Sequence, residues 1–197
     1  MLIIGITGGV GSGKSKVLAF LEEQYAATTI QLDQVAYDLQ QKGQKVYQEI
    51  VKAFGETVLG EDGALNRQYL GEVIFKDERK RVKINALVHP AVEQWVKEDI
   101  ALKKEQGASL YVIEAALLLE ANYDKICDEL WYIHGCKQVR QERLKKSRGY
   151  SKGKIEQMMA AQKSEEAYRQ GCQFVIENSG DFAKAETQIR ARMAKLV

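Results

Sequence analysis

One short segment near the start of the chain combines glycines, a lysine and a serine at a spacing that can bind phosphate. Residues 8–15 have the sequence GGVGSGKS and match the pattern G-x-x-x-x-G-K-[ST]. Glycines let the backbone curl so that successive N–H groups face phosphate oxygens, and the following helix adds the positive end of its dipole. The spacing predicts a phosphate-binding loop. The alternative is a plain glycine turn, which requires neither the lysine nor the serine.

The residues of this loop divide into those that shape the backbone and those that reach the ligand. Lys14 is expected to reach the β- and γ-phosphates of a nucleoside triphosphate, and the Ser15 hydroxyl is expected to bind Mg²⁺. The backbone amide of Lys16 can meet the α-phosphate. The predicted nucleotide-binding residues of the loop are Gly8, Gly9, Gly11, Ser12, Gly13, Lys14, Ser15 and Lys16.

Two acidic residues follow predicted strands, at the edge where open α/β sheets bind ligands. Asp33 comes just after a short strand, where a carboxylate can accept the proton of an attacking hydroxyl. The alternative, equally open from spacing, is that Asp33 only caps the next helix. Glu114 ends the segment LYVIE, which is similar to a Walker-B strand whose acid holds a metal through water. Many buried strands end in Glu, so Glu114 is only a candidate for the metal.

A basic segment extends from residue 137 to residue 154, with eight lysines and arginines against one acid. Arg140 and Arg143 share a helical face, and Arg148 precedes Gly149, a candidate hinge. Arginines on a mobile arm can neutralise charge while a phosphoryl group passes between oxygens. One alternative is a solvated basic face. The other is a nucleic-acid patch, which the balanced net charge and the lack of interleaved aromatic residues disfavour.

The elements that must position these residues alternate along the chain. Short apolar runs predict strands, and most of them are followed by a helical stretch. This alternation predicts an α/β fold of three layers, α/β/α, around a five-stranded parallel sheet. The predicted strands lie near 2–6, 28–32, 109–114, 129–134 and 173–176.

The middle of the chain is different, because no convincing strand lies between residues 39 and 106. A turn at Asp62-Gly63 and a break at His89-Pro90 separate the helical patterns there. Helices are predicted over 35–54, 67–75, 77–88 and 91–104, with a last helix over about 181–196. The predicted organisation is a nucleotide-binding core (1–38, 107–136 and 167–197), a helical acceptor-binding insertion (39–106) and a basic lid (137–166).

Composition excludes several classes of protein. The 197 residues are 45% hydrophobic and 28% charged, which indicates a globular chain rather than a disordered or collagen-like one. Lys and Arg total 29 against 27 Asp and Glu, a balance too even for a dedicated nucleic-acid coat. Three cysteines without a CxxC pair and only two histidines argue against zinc and disulfide frameworks. We expect a soluble cytoplasmic protein with no nucleic-acid or membrane partner, because neither an export signal nor a membrane-spanning run is present.

Taken together, these residues resemble the dephospho-coenzyme A kinase family over nearly the whole chain. The ordered set is more specific than the P-loop alone, which many families share. The resemblance implies a P-loop fold and the Mg²⁺-dependent transfer of a phosphoryl group from ATP to the ribose 3′-hydroxyl of dephospho-coenzyme A. Coenzyme A and ADP are the products, in the last step of coenzyme A synthesis. The matching segments beyond the loop are Asp33, DGALNR at 62–67, NALVHP at 85–90, LLLE at 117–120, the arm at 143–149, Gln162 and FVIENSG at 174–180.

The resemblance also implies roles for individual residues. Asp33 is the implied general base, and Lys14 and Arg143 complete the implied catalytic set. Arg143 and Arg148 correspond to lid arginines on the phosphates, and Asn178 falls where the tail loop of the family approaches adenine. The implied acceptor-side residues are Asp33, Arg67, His89 and Glu120.

The chain departs from the family's pattern at six positions, none of which removes Lys14, Ser15 or Asp33. We therefore expect the departures to alter acceptor contacts and affinity rather than the chemistry. One alternative is another small-molecule P-loop kinase, of the nucleoside or nucleotide type. The other is a nucleotide-binding regulator without turnover, which the arginine arm and the missing N-K-x-D motif of switch GTPases disfavour. The departures are Lys16, Gln31, Tyr37, Ala116, Cys172 and Gln173.

Overall fold

The computed structural model describes residues 1–116, 118–119 and 123–196. The chain forms two compact units, one made of residues 1–30 and 107–197 and the other of residues 31–106. The strands are β1 (Leu2–Thr7), β2 (Thr28–Gln31), β3 (Leu110–Glu114), β4 (Glu129–His134) and β5 (Phe174–Glu177). The helices are α1 (Lys14–Tyr25), α2 (Leu32–Leu39), α3 (Lys45–Phe54), α4 (Arg67–Lys76), α5 (Glu78–Glu105), α6 (Lys137–Arg148), α7 (Lys152–Ala160), α8 (Glu165–Gly171) and α9 (Phe182–Met193).

The first unit is built on a five-stranded parallel sheet with helices on both sides, in the order β2-β3-β1-β4-β5. This confirms the predicted fold class and the five predicted strands. Strand β1 is central and pairs with both β3 and β4, in the registers Ile6↔Glu114 and Thr7↔Tyr132. The carboxyl ends of these three strands therefore lie side by side, and the chain that leaves β1 enters the edge where open α/β sheets bind ligands.

A hydrophobic core packs helices α1 and α9 against this sheet. Ile4 and Ile6 of β1 and Trp131 of β4 have no exposed surface. Four members of the predicted apolar stripe are buried in α9, namely Phe182, Ala185, Ile189 and Met193. The fifth, Leu196, lies beyond the end of α9 and is half-buried against the same core. Burial of each larger side chain contributes about 1.5–3 kcal/mol, so the stripe accounts for much of the attachment of α9.

The second unit is helical, as predicted for the middle of the chain. Apart from one antiparallel bridge between Leu59 and Leu65, its described residues form helices and turns. The single helix predicted over 35–54 is wrong, because α2 ends at Leu39 and α3 begins at Lys45. Gly43 in the connecting turn has a φ of 93°, a left-handed conformation that ends regular helix.

The predicted break at His89-Pro90 is also wrong, because α5 continues through Pro90 as one helix of 28 residues. A proline inside a helix costs about 3 kcal/mol, since it removes one hydrogen bond and crowds the preceding turn. Pro90 lies on the exposed face, so water can reach the carbonyl group that it leaves unbonded. The stripe on the opposite face offsets the cost, and its buried members are Ile84, Val88, Val92 and Val96. Within the described ranges, α5 and every other helix are too short or too polar to cross a bilayer.

Candidate active site

The loop between β1 and α1 has a backbone that only glycine allows at its last position. Gly13 is the N-cap of α1, with φ 97° and ψ 23°. A Cβ atom at Gly13 would lie 2.4 Å from Nδ2 of Asn178, so a side chain would clash as well as strain the backbone. The sequence pattern and the tertiary contact therefore require the same residue here.

Several amides of the loop are available to an anion. The N–H groups of Gly11, Gly13 and Ser15 have no hydrogen-bond acceptor in the part of the chain that the structure describes. They belong to the loop and to the first turn of α1, where a helix leaves its N–H groups without intrahelical partners. Together with the helix dipole, these amides form a site for phosphate, as the sequence predicts.

Lys14 lies between two oxygen acceptors at the carboxyl ends of β1 and β3. Its Nζ donates to the carbonyl oxygen of Gly8 at 2.8 Å and lies 3.5 Å from Oε1 of Glu114. The side chains of Lys14 and Glu114 are only 16% and 13% exposed, so water screens their attraction weakly. The structure thus brings together two residues that the sequence singles out 100 positions apart.

The loop backbone is held from behind by two predicted site residues. The carbonyl oxygen of Ser12 accepts hydrogen bonds from Nδ2 of Asn178 at 2.8 Å and from Nη1 of Arg143 at 3.2 Å. The backbone N–H of Asn178 donates to the carbonyl of His134 at 2.8 Å, which ties the loop to the end of β4. Asn178 is 2% exposed, so it supports the loop in this structure. Its approach to adenine stays a prediction.

Two other predicted nucleotide contacts have different neighbours in the structure. The guanidinium of Arg148 is exposed at the end of α6 and lies 5.9 Å from the ring centre of Tyr150. The backbone N–H of Lys16 donates to the carbonyl of Gly13 at 3.1 Å, while its Nζ lies 4.3 Å from the ring centre of Phe182. The contacts of Arg148 and Lys16 with phosphate stay predictions.

Asp33 is the second residue of α2 and follows directly after β2. The N-cap of α2 is Gln31, and no side chain caps this helix, so the alternative role of Asp33 as a cap is not seen. The Asp33 carboxylate is exposed and forms no hydrogen bond or ion pair with the described residues. It is therefore available to accept a proton.

A cation from α4 contacts the helix that carries Asp33. Tyr37 is one turn further along α2, so its side chain and that of Asp33 share a face. The guanidinium of Arg67 lies 4.0 Å from the ring centre of Tyr37, and its Nη2 donates to the Tyr37 carbonyl at 3.2 Å. Tyr37, a departure from the family's pattern, thus provides the surface on which the predicted acceptor residue Arg67 rests.

The remaining predicted acceptor residues are not brought into this arrangement by any observed contact. His89 is exposed on α5, one residue before Pro90. Glu120 lies outside the described residues, as does Leu117 of the same segment. The roles of His89 and Glu120 stay predictions.

The departures near the sheet have structural contacts. Gln173 receives a hydrogen bond from the Leu130 N–H through its Oε1 at 2.7 Å. The carbonyl of Ala116 accepts a bond from Oγ1 of Thr7 at 3.4 Å. Gln173 thus connects the segment before β5 to β4, and Ala116 connects the segment after β3 to β1. Neither departure replaces a functional side chain of the loop.

Sequence reasoning missed a charged cluster at the carboxyl ends of β4 and β5. His134 contacts Glu177 through Nδ1 and lies 3.2 Å from Glu165 through Nε2. Arg169 donates to Glu165 at 2.8 Å and to Glu177 at 2.6 Å, and its bond lowers the pKa of Glu165 below the ordinary value. The cluster attaches α8 to the sheet. No local pattern predicts it, because His134 and Glu177 are 43 residues apart.

The cysteines offer a test of burial near the site. Cys127, Cys136 and Cys172 are free thiols. Burial raises the pKa of Cys127 to about 12, with the charge of Asp128 adding to it, and burial raises that of Cys172 to about 12. Because the thiolate is the nucleophile, both thiols stay protonated and unreactive at about pH 8. We expect iodoacetamide to leave both unmodified in the native protein and to modify both in urea, as read by peptide mass. Rapid labelling of either native thiol would contradict the burial.

The fold and the loop define a class of protein. A parallel sheet with a G-x-x-x-x-G-K-S loop before α1 is the architecture of P-loop nucleotide-binding proteins, a class that includes kinases of small molecules. A dephospho-CoA kinase from Campylobacter jejuni has the same fold, with a TM-score of 0.72 and 17% identity over 98% of this chain and 96% of that one. Shikimate kinase from Acinetobacter baumannii shares it at a TM-score of 0.56 and 16% identity, over 99% and 94%.

Sequence comparison identifies the family within this class. The family model for dephospho-CoA kinase matches residues 2–184. The dephospho-CoA kinase of Geobacter sulfurreducens is 36% identical over 99% of this chain and 98% of its own length. A Thermus thermophilus protein of known crystal structure, TT1252, is 29% identical with a TM-score of 0.86, over 100% and 98%. The chain belongs to the dephospho-CoA kinase family, as its sequence motifs predict, and is an ATP-dependent kinase of coenzyme A biosynthesis.

Proposed function

We propose that the chain transfers the γ-phosphoryl group of ATP to the ribose 3′-hydroxyl of dephospho-CoA, with Asp33 as the general base. The 3′-oxygen forms a bond to the γ-phosphorus while the bond from that phosphorus to the β,γ-bridging oxygen breaks, and ADP leaves. The hydroxyl proton passes to the Asp33 carboxylate. The observation that carries the proposal is the loop of available amides ending in Lys14, on a chain whose second strand is followed, after Leu32, by Asp33, which pairs with none of the described residues.

On the nucleotide side, the loop amides and Lys14 bind the phosphates, and the lid arginines Arg143 and Arg148 close over them. Arg143 already contacts the loop through Ser12, which supports its part in this role. Asn178 supports the loop from behind and lines the approach to adenine. The segment 137–166 acts as the lid, because its basic side chains balance the charge of the triphosphate.

We also propose that Mg²⁺ accompanies ATP, bound by the Ser15 hydroxyl and, through water, by Glu114. The Ser15 side chain is exposed in the first turn of α1, and Glu114 lies beside Lys14. Across the described ranges, no group of three or more His, Cys, Asp or Glu could hold a metal by itself. This fits a magnesium ion that takes most of its ligands from phosphate and water. The ion supplies positive charge that neutralises the phosphates.

On the acceptor side, the helical insertion 39–106 binds dephospho-CoA, with Arg67, His89 and Glu120 as contacts. The support comes from Arg67, whose guanidinium rests on Tyr37 one turn from Asp33. An arginine held on an aromatic ring loses less entropy when it binds an anion, and its planar fork suits a phosphate group. The acceptor carries such groups close to the hydroxyl that is phosphorylated.

Replacing Arg67 by methionine should raise the KM for dephospho-CoA about tenfold, because a charge-assisted hydrogen bond is worth about 1.5–3 kcal/mol. The KM for ATP should stay within about twofold. Tyr37→Leu should produce a smaller rise, since it removes only the surface beneath the guanidinium. The matched control is Arg79→Met, which removes an exposed arginine from α5 of the same unit. Steady-state kinetics with each substrate varied in turn measures all three. An unchanged KM for the acceptor in Arg67→Met would remove Arg67 from the acceptor site.

We place this activity in the cytoplasm, with ATP and dephospho-CoA as its small-molecule partners and with no nucleic-acid or membrane partner. The three free thiols suit a reducing compartment. The net charge of +2 supports the absence of a nucleic-acid partner.

The direct test is ADP release from ATP and Mg²⁺, with and without dephospho-CoA, with the product identified by mass. Strong stimulation with formation of coenzyme A would support both the substrate and the reaction. Stimulation only by a nucleoside or nucleotide would support a different small-molecule kinase. Tight ATP binding without stimulation by any acceptor would favour a regulator without turnover.

A further inference from the structure

Val10, at the apex of the phosphate loop, is bonded to two side chains that lie 130 or more residues later in the chain. One belongs to α6, and the other lies just after α7. Nε of Arg140, in the first turn of α6, donates to the carbonyl oxygen of Val10 at 2.8 Å. The N–H of Val10 donates to Oε1 of Gln162, just after α7, at 3.1 Å. Nη2 of Arg140 donates to the same Oε1 at 2.6 Å. These three bonds form a closed ring, and both backbone groups of Val10 are used.

The guanidinium of Arg140 fits against the loop because two neighbouring residues are glycines. A Cβ atom at Gly9 would lie 2.2 Å from Nη2 of Arg140, and one at Gly135 would lie 3.2 Å from its Cγ. The Arg140 side chain is half-buried there, and burial lowers its pKa below the ordinary value of an arginine. An arginine withdrawn from water in this way needs hydrogen-bond partners, which the carbonyl of Val10 and the amide oxygen of Gln162 supply.

We propose that Arg140 and Gln162 are positioning residues that hold the apex of the phosphate loop in its binding conformation before nucleotide arrives. This inference rests on the proposed function only in assuming that the loop binds the phosphates of ATP. The loop carries glycines at positions 8, 9, 11 and 13, and glycine has the most conformational freedom to lose on ordering. Bonds that order Val10 in advance remove part of that cost from the binding step.

The ring also connects the basic segment to the loop. Arg140 lies in the first turn of α6, and Gln162 follows α7, so a side chain from each part of the basic segment bonds to Val10. A ligand that binds the ordered loop therefore also favours the placement of α6 and α7, and the reverse holds by linkage. Binding of nucleotide should then protect both segments from hydrogen exchange together.

The test compares Arg140→Met and Gln162→Asn with the control Lys184→Met, in the whole chain. Asparagine keeps the amide of Gln162 but is one methylene too short to reach Val10, so folding is expected to survive. Lys184→Met removes one positive charge from an exposed position of α9, in the same unit and outside the lid. Calorimetry with ADP and Mg²⁺ measures binding without any acceptor. Hydrogen exchange without nucleotide measures the Val10 amide directly.

Each ring variant should weaken ADP binding about tenfold and speed exchange at Val10 by a similar factor, while Lys184→Met stays within about twofold of the parent. The double variant should bind about as weakly as either single one, because one ring is lost in each case. With turnover, the KM for ATP should rise while kcat stays within about threefold.

Unchanged ADP affinity and unchanged Val10 exchange in both variants would overturn the proposal. A fall in kcat with an unchanged KM for ATP in Arg140→Met would also overturn it, since Arg140 would then act on the transferring phosphate. If the parent protein shows no acceptor-dependent transfer, the proposed function fails, and the calorimetry still decides the role of the ring.

Discussion

Replacing Lys14 by alanine should lower kcat/KM for ATP by about 10²–10³ and weaken binding of ADP by about tenfold. Lys14 places a cation at the end of the phosphate loop, bonded to the Gly8 carbonyl and 3.5 Å from the Glu114 carboxylate. A preorganised charge of this kind, in a site poorly screened by water, supplies about 2.7–4 kcal/mol to the transition state. Its removal also leaves the negative charge of Glu114 facing the bound phosphates.

The measurement is steady-state kinetics with ATP varied, together with calorimetry of ADP binding. Lys184→Ala, which removes an exposed lysine from α9 of the same unit, is the control for net charge and should change neither quantity by more than about twofold. Normal turnover and normal ADP binding in Lys14→Ala would contradict the assignment of the loop as the nucleotide-binding site.

The Asp33→Asn variant should lose about 10²–10⁴ in kcat while its affinity for ATP stays within about threefold. Asparagine matches aspartate in size but cannot accept the proton of the attacking hydroxyl, and general-base catalysis contributes about this factor. Asp33 neither caps α2 nor pairs with a described residue, so the substitution should leave the helix intact. Single-turnover kinetics at saturating ATP and acceptor measures the chemical step, and equilibrium binding measures affinity.

A matched control lies on the same helix. Asp38 accepts a hydrogen bond from Nε2 of Gln34 at 2.8 Å, and the amide oxygen of asparagine can accept it too. Asp38→Asn should therefore keep the parent kcat within about twofold. If Asp33→Asn retains most of its kcat, the base is another group, and the proposed position of the acceptor hydroxyl beside Asp33 is wrong.

Much of the fold could be predicted from local patterns. The five strands are predicted because each is a short run rich in Ile, Val, Leu, Tyr or Thr, a signal that depends only on neighbouring residues. The same is true of the loop, since the backbone curl requires glycines at set positions and the chemistry requires Lys14 and Ser15 directly after them. The helical middle of the chain was also predicted, because its residues repeat at helical spacing. Family membership followed from the order of these motifs.

Helix continuity is where local reasoning was wrong. Pro90 predicts a break, but α5 passes through it, because a buried stripe on the opposite face stabilises the helix by more than the proline costs. The turn at Gly43 between α2 and α3 was missed for a related reason, since apolar periodicity alone does not reveal a glycine in the left-handed conformation. Whether a helix continues or ends at such positions depends on the residues against which each of its faces packs.

The sequence by itself determined the class of protein, through the phosphate-binding groups of the loop and the order of the family's motifs, because phosphate binding requires particular residue types in a short span. Only the tertiary structure decided which side chains support those groups. Val10 meets Arg140 and Gln162 across separations of 130 and 152 residues, and Arg67 meets Tyr37 across 30. No periodicity or motif encodes contacts at such separations, because they arise only when the packing of the sheet and helices brings distant segments to the same place.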